Sequence, residues 1–122
     1  MAKKKKVPVK RVNHINKNTV PFINALNKLT DDERKAVLKY LNKDAREVIY
    51  ECVANCIYNP GISKAKRAEV KEQLKSKSRI YKYLARPGNN LKKKKQLLSQ
   101  HGGGLGLILG AVLPLLTALF SK

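Results

Sequence analysis

Charge and hydrocarbon are kept apart along this chain. Residues 102–121 contain no ionisable side chain, while lysine and arginine crowd most of the sequence before them. The excess is itself uneven. Residues 1–18 hold 7 basic groups and no acid, residues 19–58 hold 6 of each sign, and residues 59–101 hold 13 basic groups against 2 acids. Only the middle stretch is balanced like an ordinary soluble body, and the formal charge of +19 comes from its flanks. A body carrying that charge repels itself unless a polyanion neutralises it. Such a chain is expected to hold a polyanion with one part and to bury an apolar end with another.

The length of 122 residues corresponds to one small domain. The boundaries read as a disordered basic arm over 1–18, a basic helical domain over 19–101, and a glycine hinge with a hydrophobic tail over 102–122. About 80 residues supply the periodic apolar positions of a core, so stability is expected to be marginal. Cys52 and Cys56 are four apart, on one face of a helix, and read as buried thiols suited to a reducing compartment. A zinc site would need further ligands, and His14 and His101 lie in the flanks, so no metal is expected. The basic start, Lys3 to Lys6 with Pro8, Lys10 and Arg11, does not read as a secretory signal. It has instead the composition that nuclear import machinery reads.

Helical periodicity and capping residues mark the elements. Order is expected near Asn18, with Pro21 tolerated in a first turn and Ile23, Leu26 and Leu29 as an apolar stripe. Thr30 with Glu33 forms a capping box for a helix whose inner face is Val37, Leu38 and Leu41. Residues 43–58 form the central core helix, since Ala45, Val48, Ile49, Cys52, Val53, Cys56 and Ile57 recur at helical spacing. Asn59-Pro60-Gly61 ends it. Ser63 caps a basic helix to about residue 75, Ser78 opens a short one around Ile80, Tyr81, Tyr83 and Leu84, and Asn90 caps residues 91–100. In that last helix Leu91, Leu97 and Leu98 are expected inside and the four lysines outside. No strand alternation or hairpin turn is visible. The expected fold is all-α, a small bundle of five or six short helices, with the arm before it and a hydrophobic C-terminal helix after it.

Two sets of residues carry the functional signal. Lys64, Lys66, Arg67, Lys71, Lys75, Lys77, Arg79, Lys82, Lys92, Lys93, Lys94 and Lys95 gather in one stretch, joined by Lys3, Lys4, Lys5, Lys6, Lys10 and Arg11 of the arm. Flexible lysines match a duplex bearing a charge every ~1.7 Å without reading its bases. The scarcity of base-edge readers among them favours backbone binding over sequence recognition. An anionic membrane is the competing electrostatic partner. The second set is the aliphatic run Leu105, Leu107, Ile108, Leu109, Val112, Leu113, Leu115, Leu116, Leu119 and Phe120. It reads as a membrane anchor, an interfacial peptide, a contact in a protein assembly or a core helix. Small residues at 102, 106, 110, 114 and 118 would form one ridge along it. No catalytic constellation or phosphate-binding loop accompanies either set, so neither an enzyme nor a cofactor is expected.

The segment from Gly102-Gly103-Gly104-Leu105 to Leu113-Pro114-Leu115-Leu116, placed after a basic run, resembles the C-terminal part of the precursor of the adenovirus small core protein mu. The body, with its Leu91-Lys92-Lys93-Lys94-Lys95-Gln96-Leu97-Leu98 ending, also looks like proteins of adenovirus-related elements of the Polinton and adintovirus kind. The mu protein is arginine-rich, whereas this chain is lysine-rich and carries a helical body. The resemblance implies a virion core or minor capsid protein that condenses double-stranded DNA, found in the virion and, during infection, the host nucleus. Capsid proteins or a second copy would then meet the tail. The alternative expectation is a membrane-active or tail-anchored protein on an intracellular membrane.

Overall fold

A computed structural model describes residues 14–59 and 61–120, and over these the chain is all-helical with no strand. The elements are α1 (Val20–Lys28), α2 (Asp31–Leu38), α3 (Lys43–Tyr58), α4 (Lys64–Leu74), α5 (Ser78–Ala85), α6 (Leu91–His101) and α7 (Gly106–Phe120). Short 3-10 turns, Lys75–Lys77 and Gly102–Leu105, join α4 to α5 and α6 to α7. Pro60 and the residues before His14 lie outside the described residues, and with them Lys3, Lys4, Lys5, Lys6, Lys10 and Arg11.

Side-chain caps set most of the helix starts. The Thr30 hydroxyl accepts the Glu33 amide at 3.1 Å, and the Thr30 amide donates to the Glu33 carboxylate at 2.9 Å. Asn42, Ser63 and Asn90 accept from Ala45, Lys66 and Lys93 in the same way. α3 ends in an asparagine relay that the apolar periodicity does not reveal. The Asn59 side chain donates to the buried Asn55 amide oxygen at 2.9 Å and accepts from the Gly61 amide at 2.8 Å. These bonds satisfy polar groups that the tight turn takes out of water.

α7 completes the core. Leu105, Ile108, Leu109, Val112 and Leu116 are buried, and α7 packs against α1, α3 and α4. The aliphatic run is therefore not an outward contact surface. Leu107, Leu113, Leu115 and Phe120 are half-buried, and of the ten expected contact residues only Leu119 stands largely exposed. Nor are residues 102–104 a free hinge. A Cβ on Gly102 would overlap the buried Leu38 Cδ1, so any side chain there would force Leu38 to move for this turn to lie against α2. The ridge of small residues serves an internal approach, since a Cβ on Gly106 would lie 3.1 Å from the Arg34 guanidinium and one on Gly110 3.7 Å from Asn27. Pro114 sits within α7 at an exposed position.

Arg34 is the main departure from a purely apolar interior. It is 2% exposed, yet its guanidinium donates to the carbonyls of Leu26, Asn27 and Leu29 at 2.9, 3.2 and 2.6 Å and to Asp31 at 2.9 Å. Those carbonyls lie in the last turn of α1 and its C-cap, Leu29, where helix carbonyls run short of backbone donors. Val37 and Leu91, expected inside, are 38% and 42% exposed.

Because α7 fills the centre, truncating its buried side chains is costly. Leu109, with no exposure, should lose about 2–5 kcal/mol of stability on Leu109→Ala, measured by urea unfolding.

Candidate nucleic-acid interface

The cations that the sequence places on one face divide into three kinds. Lys64, Lys71, Lys75, Arg79, Lys82, Lys92, Lys93 and Lys95 are exposed. Lys66, Arg67 and Lys77 are half-buried. Lys94 is 1% exposed, so the expectation that all four lysines of α6 face outward is corrected at this position. Its ammonium lies over the Tyr50 ring, 4.8 Å from the centroid, and burial holds its pKa below the usual lysine value. The reason is register. Position 94 lies four before the buried Leu98 and shares its face of α6.

Acids neutralise little of this surface. Lys66 pairs with Glu69 at 3.1 Å and Lys75 with Glu72 at 3.5 Å, both across exposed helix positions where such pairs are weak. Among the described residues, the other exposed cations between 64 and 95 have no acidic partner. Arg67 is partly committed, since its guanidinium donates to the Asn59 carbonyl and fixes the α3–α4 turn.

Two clefts concentrate the charge. One, of about 310 Å³, lies where the first turns of α3 and α6 meet and is lined by Lys43, Arg46, Lys92 and Lys95 with Glu47 and Tyr50. Arg46 also donates to the Leu41 carbonyl at 2.6 Å, which holds it at the cleft edge. Lys43 and Arg46 were missed from the sequence because residues 19–58 are balanced in charge. Their spacing of three on one helix was the available signal. The second cleft lies between α3, α4, α5 and α7 and is rimmed by Arg67, Lys71, Lys75 and Lys82. Neither tyrosine of α5 offers a free face for base stacking: Tyr81 is 2% exposed and its hydroxyl donates to the His101 carbonyl at 3.3 Å. Tyr83 is half-buried and lies beneath the Lys93 ammonium, 5.1 Å from its centroid.

The N-terminal arm meets the body at α3. The His14 and Ile15 amides donate to the Glu51 carboxylate at 2.7–3.0 Å, His14 Nδ1 lies 2.6 Å from it, and Ile15 is 2% exposed in the core. His14 and Ile15 are thus already tied to α3, ahead of the start expected near Asn18.

The thiols of Cys52 and Cys56 are buried and unpaired with each other, and burial pushes Cys56 up to about 11. Among the described residues no three His, Cys, Asp or Glu side chains gather as a metal site. Within the same residues no single helix is long and apolar enough to cross a membrane. Leu91–His101 and Gly106–Phe120 meet that test only together, with a bend of 110° between them. Compared with protein-family models, curated proteins and solved structures, the chain finds no match.

These placements are open to two measurements. The hydrogen bond to Glu51 raises the His14 pKa above 6.5, so an NMR titration should find it high and Glu51→Gln should lower it. With its pKa higher in the folded than in the unfolded chain, His14 contributes stability that is full below pH 6.5 and lost as pH rises through the folded value. Lys94→Met keeps the volume of the stem and removes a buried charge. Thermal melts should show it at least as stable as the parent at pH 7, with any gain shrinking in alkali as the parent's ammonium loses its proton.

Proposed function

We propose that this protein is a non-enzymatic structural protein that binds nucleic acid along its phosphate backbone without reading sequence. The observation that carries the reading is the un-neutralised surface. Lys64, Lys71, Arg79, Lys82, Lys92, Lys93 and Lys95 are exposed without an acidic partner among the described residues, and Lys71, Lys82, Lys92 and Lys95 line two cationic clefts. Lysine ammonium groups act as point charges for phosphate, and their number here exceeds any need of solubility. Double-stranded DNA is the favoured partner, because its phosphate density suits many flexible cations at once. The arm residues Lys3, Lys4, Lys5, Lys6, Lys10 and Arg11, outside the described residues, add six cations to the same excess.

The resemblance to adenovirus core-protein precursors supports a narrower reading, a virion core or minor capsid protein that compacts viral DNA. In that role the folded domain serves as a cationic bead, and contact with capsid proteins or a second copy falls to exposed positions such as Leu119 rather than to the buried face of α7. The alternative of a membrane-active or tail-anchored protein requires Leu105, Ile108, Leu109, Val112 and Leu116 to leave the core they fill, which sets it second.

Gel-shift titrations on unrelated duplexes test the proposal. Affinity should vary little with sequence and should fall with salt at a log–log slope near −0.9 for each phosphate neutralised. Lys92→Gln combined with Lys95→Gln should flatten that slope by about 0.9 for each phosphate left without its cation, whereas Lys94→Met should leave it unchanged. Absent binding at low salt, or binding indifferent to salt, would count against it.

A further inference from the structure

The cleft between α3, α4, α5 and α7 has a chemistry that backbone phosphates alone do not use. It encloses about 290 Å³, and its floor is aliphatic: Ile57, Val70, Leu74 and Ile108. A cavity of this size with an apolar lining and a few polar groups at its mouth has the character of a small-ligand site. The cations stand at the mouth. Lys71 and Lys82 are exposed and have no acidic partner among the described residues, and Lys75 has only its weak pairing with Glu72. The Arg67 Nε–H is buried at the cleft edge with no hydrogen-bond partner among the described residues. The two polar side chains deeper in the lining offer nothing to an anion or a base edge. Tyr81 already donates to His101, and the Cys56 thiol is neutral.

We propose that this cleft binds a single-chain phosphate monoester, with its alkyl body on Ile57, Val70, Leu74 and Ile108 and its phosphate between Arg67, Lys71 and Lys82. Charge complementarity selects the head group. Several cations converge on one mouth, which suits a phosphate monoester of charge near −2 better than a singly charged carboxylate. The floor selects the body. A nucleobase would need an exposed aromatic face and partners for its edge, whereas the lining is aliphatic and its tyrosine is covered. The inference is independent of nucleic-acid binding, because it depends on the apolar floor.

The test titrates the full-length folded chain with butyl, hexyl and octyl phosphate below their aggregation concentrations, following the leucine, valine and isoleucine methyl signals by NMR. Each added methylene should tighten binding roughly fourfold until the floor is covered. Inorganic phosphate and octyl glucoside should bind far more weakly than octyl phosphate, and octanoate should fall between. Leu74→Trp fills the half-buried floor and should abolish the chain-length dependence while leaving the DNA gel shift intact. Lys71→Gln with Lys82→Gln changes two exposed positions and should weaken octyl phosphate severalfold without loss of helicity. Affinity indifferent to chain length, octanoate or octyl glucoside binding as tightly as octyl phosphate, or persistence of the effect in a folded Leu74→Trp chain would overturn the proposal. So would a dimer in sedimentation that Leu74→Trp dissolves, since a second copy would then occupy the cleft.

Discussion

The burial of α7 is the constraint on which the rest of the molecule depends. The apolar faces of α1, α3 and α4 all pack against the uncharged helix, whose buried side chains join theirs in one core. A small helical body has little apolar area to spare against the entropy of ordering its chain, so a filled centre is a condition of folding at all. With the centre occupied by hydrocarbon, the lysines are left to the outside. The segregation of charge along the sequence becomes a radial segregation in the fold.

Two cations escape that partition, and they do so by the same rule. Arg34 lies four residues before the buried Leu38, and Lys94 four before the buried Leu98. A side chain that shares a helix face with a core leucine goes inward unless its stem reaches water. The consequences differ with the head group. The guanidinium has several donors, and four acceptors around the end of α1 take them. The ammonium has a ring face and a depressed affinity for its proton.

Much of this architecture was legible in the sequence. Thr30, Asn42, Ser63 and Asn90 announced helix starts because capping is local chemistry, and Cys52 and Cys56 fell inside by periodicity. What was not legible was tertiary. An aliphatic run after three glycines reads equally as anchor, assembly contact or core, since composition does not say which surface will cover it. The glycines looked like a hinge because their freedom is visible in sequence, whereas Leu38, which requires the smallness of Gly102, is far away along the chain. On the cationic side, lysine number was evident but grouping was not. Lys43 and Arg46 join Lys92 and Lys95 only because α3 and α6 start at one end of the body.

The position of α7 at the far end of the order of elements has a consequence for biogenesis. A ribosome delivers α1, α3 and α4 long before the helix that covers them, at about 5–20 residues per second. During that interval their greasy faces are open, and collapse must wait for the last element to emerge. The nascent segment is already strongly positive, however, and like charge opposes association of neighbouring unfinished chains. The excess of lysine thus works against aggregation in the interval when the apolar faces are uncovered.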